Sequence, residues 1–133
     1  MQNRSYEIGL ILLVIALTAT LVVRQLKDRW DLNQRRHRIG SLWSAAKIHY
    51  APEHDDRMPS DLEELRPIFQ SRGAEAFFDF AVRSAVLVSP GVSLDAAPAT
   101  VFLRERRADS RGRFWVHDLD GSINLQYESR RRR

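Results

Sequence analysis

Residues 8–23 read IGLILLVIALTATLVV, sixteen positions without a charge or a proline. The run has no polar face, which argues against a helix packed on a soluble core with one side in water. At about 1.5 Å per residue such a helix spans roughly 24 Å, a little short of a hydrocarbon layer of about 30 Å. Tyr6 before it and Arg24 after it lengthen the reach, one as an interfacial aromatic and the other by snorkelling. The run ends in LVVRQLKDRW with no small-residue cleavage site, so a retained anchor is expected rather than a removed signal. Residues 1–7 read as a short polar lead and residues 8–23 as a transmembrane helix.

No proline lies between this run and Tyr50, which predicts one long helix, apolar in its first half and amphipathic over residues 24–50. Ile39, Leu42, Trp43, Ala46, His49 and Tyr50 recur at steps of three or four and mark the face that meets the rest of the protein. Asp28, Asp31, Arg35, Arg36 and Arg38 lie in a stretch that is polar nearly all round, a solvated neck. Gly40 reads as a close-approach point or a slight weakness, and Pro52 stops the helix.

Residues 51–129 read as a small α+β head. About 80 residues bury only a modest core alone, so the amphipathic half of the helix is expected to complete it. Ser60 or Asp61 follows Pro59 as an N-cap, and Glu63 and Glu64 sit where a first turn favours negative charge. That short helix, with Leu62 and Leu65 facing the core, is predicted to halt near Pro67. Residues 71–80 hold a further helical turn, with Phe77, Phe78 and Phe80 as core candidates. SAVLVS (84–89) reads as a strand ending at the turn pair Pro90-Gly91. TVFLRERR (100–107), RFWVHDL (113–119) and SINLQYE (122–128) predict an antiparallel meander with Trp115 in the core. Asp120-Gly121 is the hairpin signal, read as a type I′ turn. Arg130–Arg133 form a basic tail. The fold class is α+β: a long N-terminal helix packed by a small antiparallel sheet.

The net charge of +4 is divided unevenly. Residues 24–38 have a surplus of four positive charges, residues 39–103 a deficit of four, and residues 104–133 a surplus of four. A basic collar beside an apolar run suits anionic lipid headgroups. Nucleic acid is a weaker fit, because no aromatic–basic interleaving accompanies the charge. The chain has no cysteine, which excludes disulfides and thiolate metal sites. Its four histidines include no pair at the spacing that helical zinc sites need. His117-Asp118 lacks a nucleophile on a defined turn, so no enzyme, cofactor or small-molecule substrate is expected.

Three stretches together resemble the type IV pilin and type II secretion pseudopilin superfamily, and its short planctomycete and verrucomicrobial members in particular. They are the apolar helix running into a basic segment, the block IHYAPEHDDRMPSDLEEL, and the ending RFWVHDLDGSINL. Tyr50, Pro59, Leu62 and Leu65 stand where that family has a helix-ending tyrosine and a P-x-x-L-x-x-L helix. Asp120 and Gly121 match its final hairpin turn. The resemblance implies a pilin-like fold and a structural subunit of a secretion or pilus assembly in a bacterial inner membrane, single-pass, with its head outside the cytoplasm. Like or related subunits and the bilayer are the implied partners. Glu7 stands where the family's assembly glutamate precedes the apolar run, while Gln2 replaces the glycine of the prepilin cleavage site, so that site is degenerate or missing. Gly9, Ala16 and Ala19 are the small residues expected at helix–helix contacts. Asp118 and Asp120 are weak calcium candidates by the same resemblance, with ordinary turn roles the favoured reading. The basic collar argues for the opposite orientation by the positive-inside rule. That leaves a second expectation, a membrane-tethered cytoplasmic module that binds anionic lipid, nucleic acid or an acidic protein.

Overall fold

Helix α1 runs from Gln2 to Ser44, as the absence of proline allows. This computed structural model describes residues 2–129; Met1 and the predicted basic tail Arg130–Arg133 lie outside the described residues. The chain divides into two compact units, Met1–Gln34 and Arg35–Arg133, and α1 contributes to both. The class is α+β, with the long helix packed against a small antiparallel sheet.

Pro52 does not stop the helix by breaking it. The ladder widens into a π-helical stretch at Ala45–Tyr50, where Ala51 N–H donates to Ala46 O, and then closes in a 3-10 turn at Ala51–Glu53 that contains the proline. A proline ring clashes with the carbonyl four residues back, here Ile48, and widening the preceding turn relieves that clash. Gly40 is not a close-approach point, since a Cβ built there meets nothing within 4 Å.

Asp61 rather than Ser60 caps the next element, its carboxylate accepting Glu63 N–H at 2.9 Å. A 3-10 turn (Leu62–Leu65) leads directly into α2 (Arg66–Gln70), so Pro67 sits inside a first turn and does not halt the chain. A first-turn N–H has no helical partner to lose, and a proline is tolerated there. The turn predicted near residues 71–80 is the ten-residue α3 (Glu75–Ser84). Phe78 is fully buried and Phe77 partly so, but Phe80 is 53% exposed and lies under the Arg38 guanidinium at 4.3 Å. The helical period sends residues two apart to different faces, so Phe78 and Phe80 cannot both point inward.

Four strands, β1 (Ala85–Leu87), β2 (Val101–Glu105), β3 (Arg113–Asp118) and β4 (Ile123–Tyr127), follow one another in a fully antiparallel sheet of that order. β1 is shorter than the sequence predicts because α3 retains Ser84 and the chain leaves the sheet after Leu87. The predicted type I′ turn is not formed. Gly121 alone has positive φ (101°), and the Asp118–Gly121 turn closes through Gly121 N–H to Asp118 O at 3.3 Å, with Asp118 N–H to Ser122 O at 2.8 Å behind it. This three-residue loop puts its left-handed residue last, which asks nothing unusual of Asp120.

Between α1 and β2 two irregular segments order each other. Met58 N–H donates to Val92 O, Leu94 N–H to Asp56 O, and Gly91 N–H to Pro59 O, at 2.8, 2.8 and 3.0 Å. Asp55 and Asp56 adopt left-handed φ (56° and 55°) to make this possible, a conformation aspartate tolerates better than most residues. The core then joins α1, the helical turns and the sheet through Ile39, Leu42, Ala46, Met58, Leu65, Phe78, Phe102 and Leu103, each at most 1% exposed.

Candidate functional site: an exposed apolar helix and a charge-clamped spine

The first unit presents the apolar run whole. Its large apolar side chains from Ile8 to Val23 are 48–64% exposed. Soluble monomers rarely expose contiguous apolar patches beyond a few hundred Å². Among the described residues this is the one helix long and apolar enough to cross a membrane, with a mean hydropathy of 2.3 over its best window. The run's two polar side chains are satisfied internally: Thr18 donates to Val14 O at 2.8 Å and Thr20 to Ala16 O at 2.9 Å. A helix whose backbone and hydroxyl donors are all partnered is what a bilayer interior requires.

Glu7, Gly9, Ala16 and Ala19 are all exposed on this helix. Steps of seven and three residues turn a helix by about −20° and −60°, so Gly9, Ala16 and Ala19 share a face. A Cβ at Gly9 meets nothing within 4 Å, leaving that face open to another helix. The sequence reading missed the apolar continuation, Leu26 and Trp30, exposed at 60% and 64%. Its signal was the i, i+4 spacing Val22–Leu26–Trp30 inside a stretch read as polar nearly all round. Arg24, Lys27 and Arg29 are exposed beside this stripe, an interfacial pattern of tryptophan with basic residues.

In the second unit, Arg35 is not a solvated neck residue. Its Nε and Nη2 donate to the two carboxylate oxygens of Glu105 at 2.8 and 2.7 Å, its Nη1 to Asp109 Oδ2 at 2.9 Å, and Nη2 also to Arg113 O at 2.8 Å. Glu105 is 6% exposed and accepts Trp115 N–H as well, at 2.9 Å. Arg113 completes the cluster on Asp109 at 2.9 Å. Burial pushes the Asp109 carboxyl up, but the Arg113 N–H, both guanidiniums and the Arg111 N–H outweigh it and hold the group well below the usual carboxylate range. Two cations and two anions, bidentate where Arg35 meets Glu105, tie α1 to the β2–β3 end of the sheet.

Eight residues further along α1, Trp43 meets the other end of β3. Its indole N–H donates to Leu119 O at 3.3 Å, and its ring stacks on the buried His117 at 4.8 Å. Of the predicted core contacts, Ile39, Leu42, Ala46, Leu62 and Leu65 are buried, while Trp43, Tyr50 and Trp115 pack partly buried against them. Tyr50 also donates to Glu64 at 2.8 Å. Gly121 is required here twice over, since a Cβ would also stand 3.1 Å from the Trp43 ring.

Asp118 and Asp120 flank Leu119 at the turn, Asp120 accepting Ser122 N–H at 2.9 Å. Asp120 lines a shallow cleft of about 220 Å³ with Lys47. The Ser122 N–H lowers its carboxyl from the ordinary value, with Lys47 contributing. Among the described residues no three His, Asp or Glu side chains converge as a metal site. The Asp120 carboxylate holds the turn through the Ser122 N–H.

Searches against protein-family models, curated proteins and solved structures find no match to this chain.

Proposed function

We propose that this protein is a structural, membrane-anchored subunit of pilin or pseudopilin type, which assembles with like or related subunits through its apolar helix in a bacterial inner membrane. The observation that carries this reading is the sixteen-residue run, exposed along its whole length, on the same helix whose later residues build the core of a small antiparallel head. An apolar surface of that size is stable only under lipid or another helix. Gly9, Ala16 and Ala19 allow close backbone approach, and Glu7 stands at the rim to meet a cation of a neighbouring subunit. The head faces away from the cytoplasm.

Because the chain has no native cysteine, single substitutions report on assembly cleanly. Ala16→Cys in membranes is expected to form cross-linked dimers on oxidation, and Val14→Cys, about 160° around the helix, is not. Equal cross-linking at both positions, or none at Ala16→Cys, would refute the packing face. Reporters fused after Arg133 test orientation, and activity outside the cytoplasm is the expected result. The exposed Arg24, Lys27 and Arg29 favour a second reading by the positive-inside rule, a membrane-tethered cytoplasmic module. A reporter active only inside would select it.

A further inference from the structure

We propose that residues 9–30 of α1 pair with the same residues of a second copy, parallel and in register, as a left-handed coil that begins within the bilayer and continues about two turns past Val23. The spacing carries this. Gly9, Ala16, Val23 and Trp30 stand seven residues apart, and Leu12, Ala19 and Leu26 fall between them at alternating steps of three and four. The alternation holds without a break over three heptads, the length at which such a pattern argues for a coil. On a straight helix this seam drifts by about 20° per heptad, so two helices keep it in contact by wrapping left-handed around each other.

The large residues at the end of the seam separate this coil from packing confined to lipid. All seven seam residues are exposed, Leu26 and Trp30 among them. Both follow Arg24, and Trp30 stands about 10 Å further along the axis than Val23. At that height lipid tails give way to headgroups and water, and burying a leucine and a tryptophan against a second helix is favourable. The small residues Gly9, Ala16 and Ala19 bring two backbones close within the span, and the same face then delivers Val23, Leu26 and Trp30 to the partner.

Period and charge select a second copy as the partner. Filling the seam takes a helix with the same seven-residue period over the same span, which another α1 supplies. Copies of one chain enter a bilayer in one sense, so the two helices run parallel, a step that rests on the membrane-anchored reading above. In a parallel, in-register coil the residue just before one seam position meets the residue five further along on the other helix. Val22 then meets Lys27 of the second copy and Arg29 meets its Gln34, so no two like charges face each other across the seam. Arg24, Asp28 and Asp31 fall on the side away from the seam, where their charges stay in water.

The test is oxidative cross-linking of single-cysteine full chains in lipid vesicles. Leu26→Cys is expected to give about tenfold more disulfide dimer than Gln25→Cys, which points about 100° away around the helix. Adding Trp30→Asp to Leu26→Cys sets two carboxylates against each other in the seam and should lower the dimer yield about fivefold. Thermal unfolding of the head should not change, because Trp30 is not among its described core residues. Mixed Ala19→Cys and Leu26→Cys chains read the register. Same-site dimers are expected, and an excess of the mixed dimer over both would mean a stagger of one heptad and overturn the in-register pairing. Equal yields at Leu26→Cys and Gln25→Cys would overturn the coil. So would dimers at Ala16→Cys without any at Leu26→Cys, which would leave the packing face within the bilayer standing. Alkaline extraction of the chain from the vesicles would refute the membrane-anchored reading; Leu26→Cys dimers in that extract would show the coil holding without it, and their absence would overturn both.

Discussion

Arg35 and His117 show how much a single position on the spine face decides. Arg35→Ala leaves Glu105, 6% exposed, as an unpaired buried carboxylate. Breaking a buried pair in this way costs about 3–5 kcal/mol, measurable by chemical denaturation in detergent. Arg35→Ala with Glu105→Leu should recover a large part of that loss. Gly121→Ala forces a Cβ to a φ of 101° and to 3.1 Å from the Trp43 ring, with an expected cost of about 1–3 kcal/mol in the same assay. His117 is buried against Trp43, and that burial holds its imidazole below its ordinary value of 6.5. The folded state thus binds fewer protons than the unfolded one, so the head is most stable above pH 6.5 and loses stability as pH falls from there. Asp109, held below its ordinary 3.8, adds a separate loss at lower pH still, below about 4. Denaturation midpoints of His117→Phe should lose the slope that sets in below pH 6.5 and keep the acid limb below about 4. A wild-type slope retained in that variant would assign it elsewhere.

At the scale of elements, α1 is two different helices in one continuous ladder. Its first half exposes an apolar surface and its second half packs into the head, so the two respond to different substitutions. Ala16→Arg in the middle of the apolar run should cost about 2.5–3.5 kcal/mol of membrane insertion and move the protein into alkaline extracts. The same change should leave the head's unfolding untouched, because among the described residues no core residue lies before Ile39. The helical half of the head was only partly legible in advance. Asp61, Leu62 and Leu65 are readable from capping and period, but Pro67, which reads as a stop in the sequence, occupies a first turn. A proline states that its own N–H is absent and not on which side of it the helix lies.

At the scale of the whole molecule, binding of the chain to vesicles distinguishes an inserted helix from a basic collar. An inserted helix predicts co-flotation that survives 1 M salt, where the Debye length is about 3 Å. Release at that salt would leave only headgroup attraction and remove the anchor. Some of this architecture was determined by the sequence alone. An uninterrupted apolar run, a three-to-four period from Ile39 to Tyr50 and alternating strands closed by Asp120-Gly121 are local patterns, and they specify a long helix and an antiparallel sheet without reference to anything distant. What tertiary structure alone decided are the pairings across long chain separations. Arg35 looked like a solvated neck residue until β2 placed Glu105 and the following loop placed Asp109 against it. Phe80 looked like core until Phe78 took the inward face. Charge, aromaticity and β-pattern name what a residue is able to contact; only the packed chain determines which partner arrives.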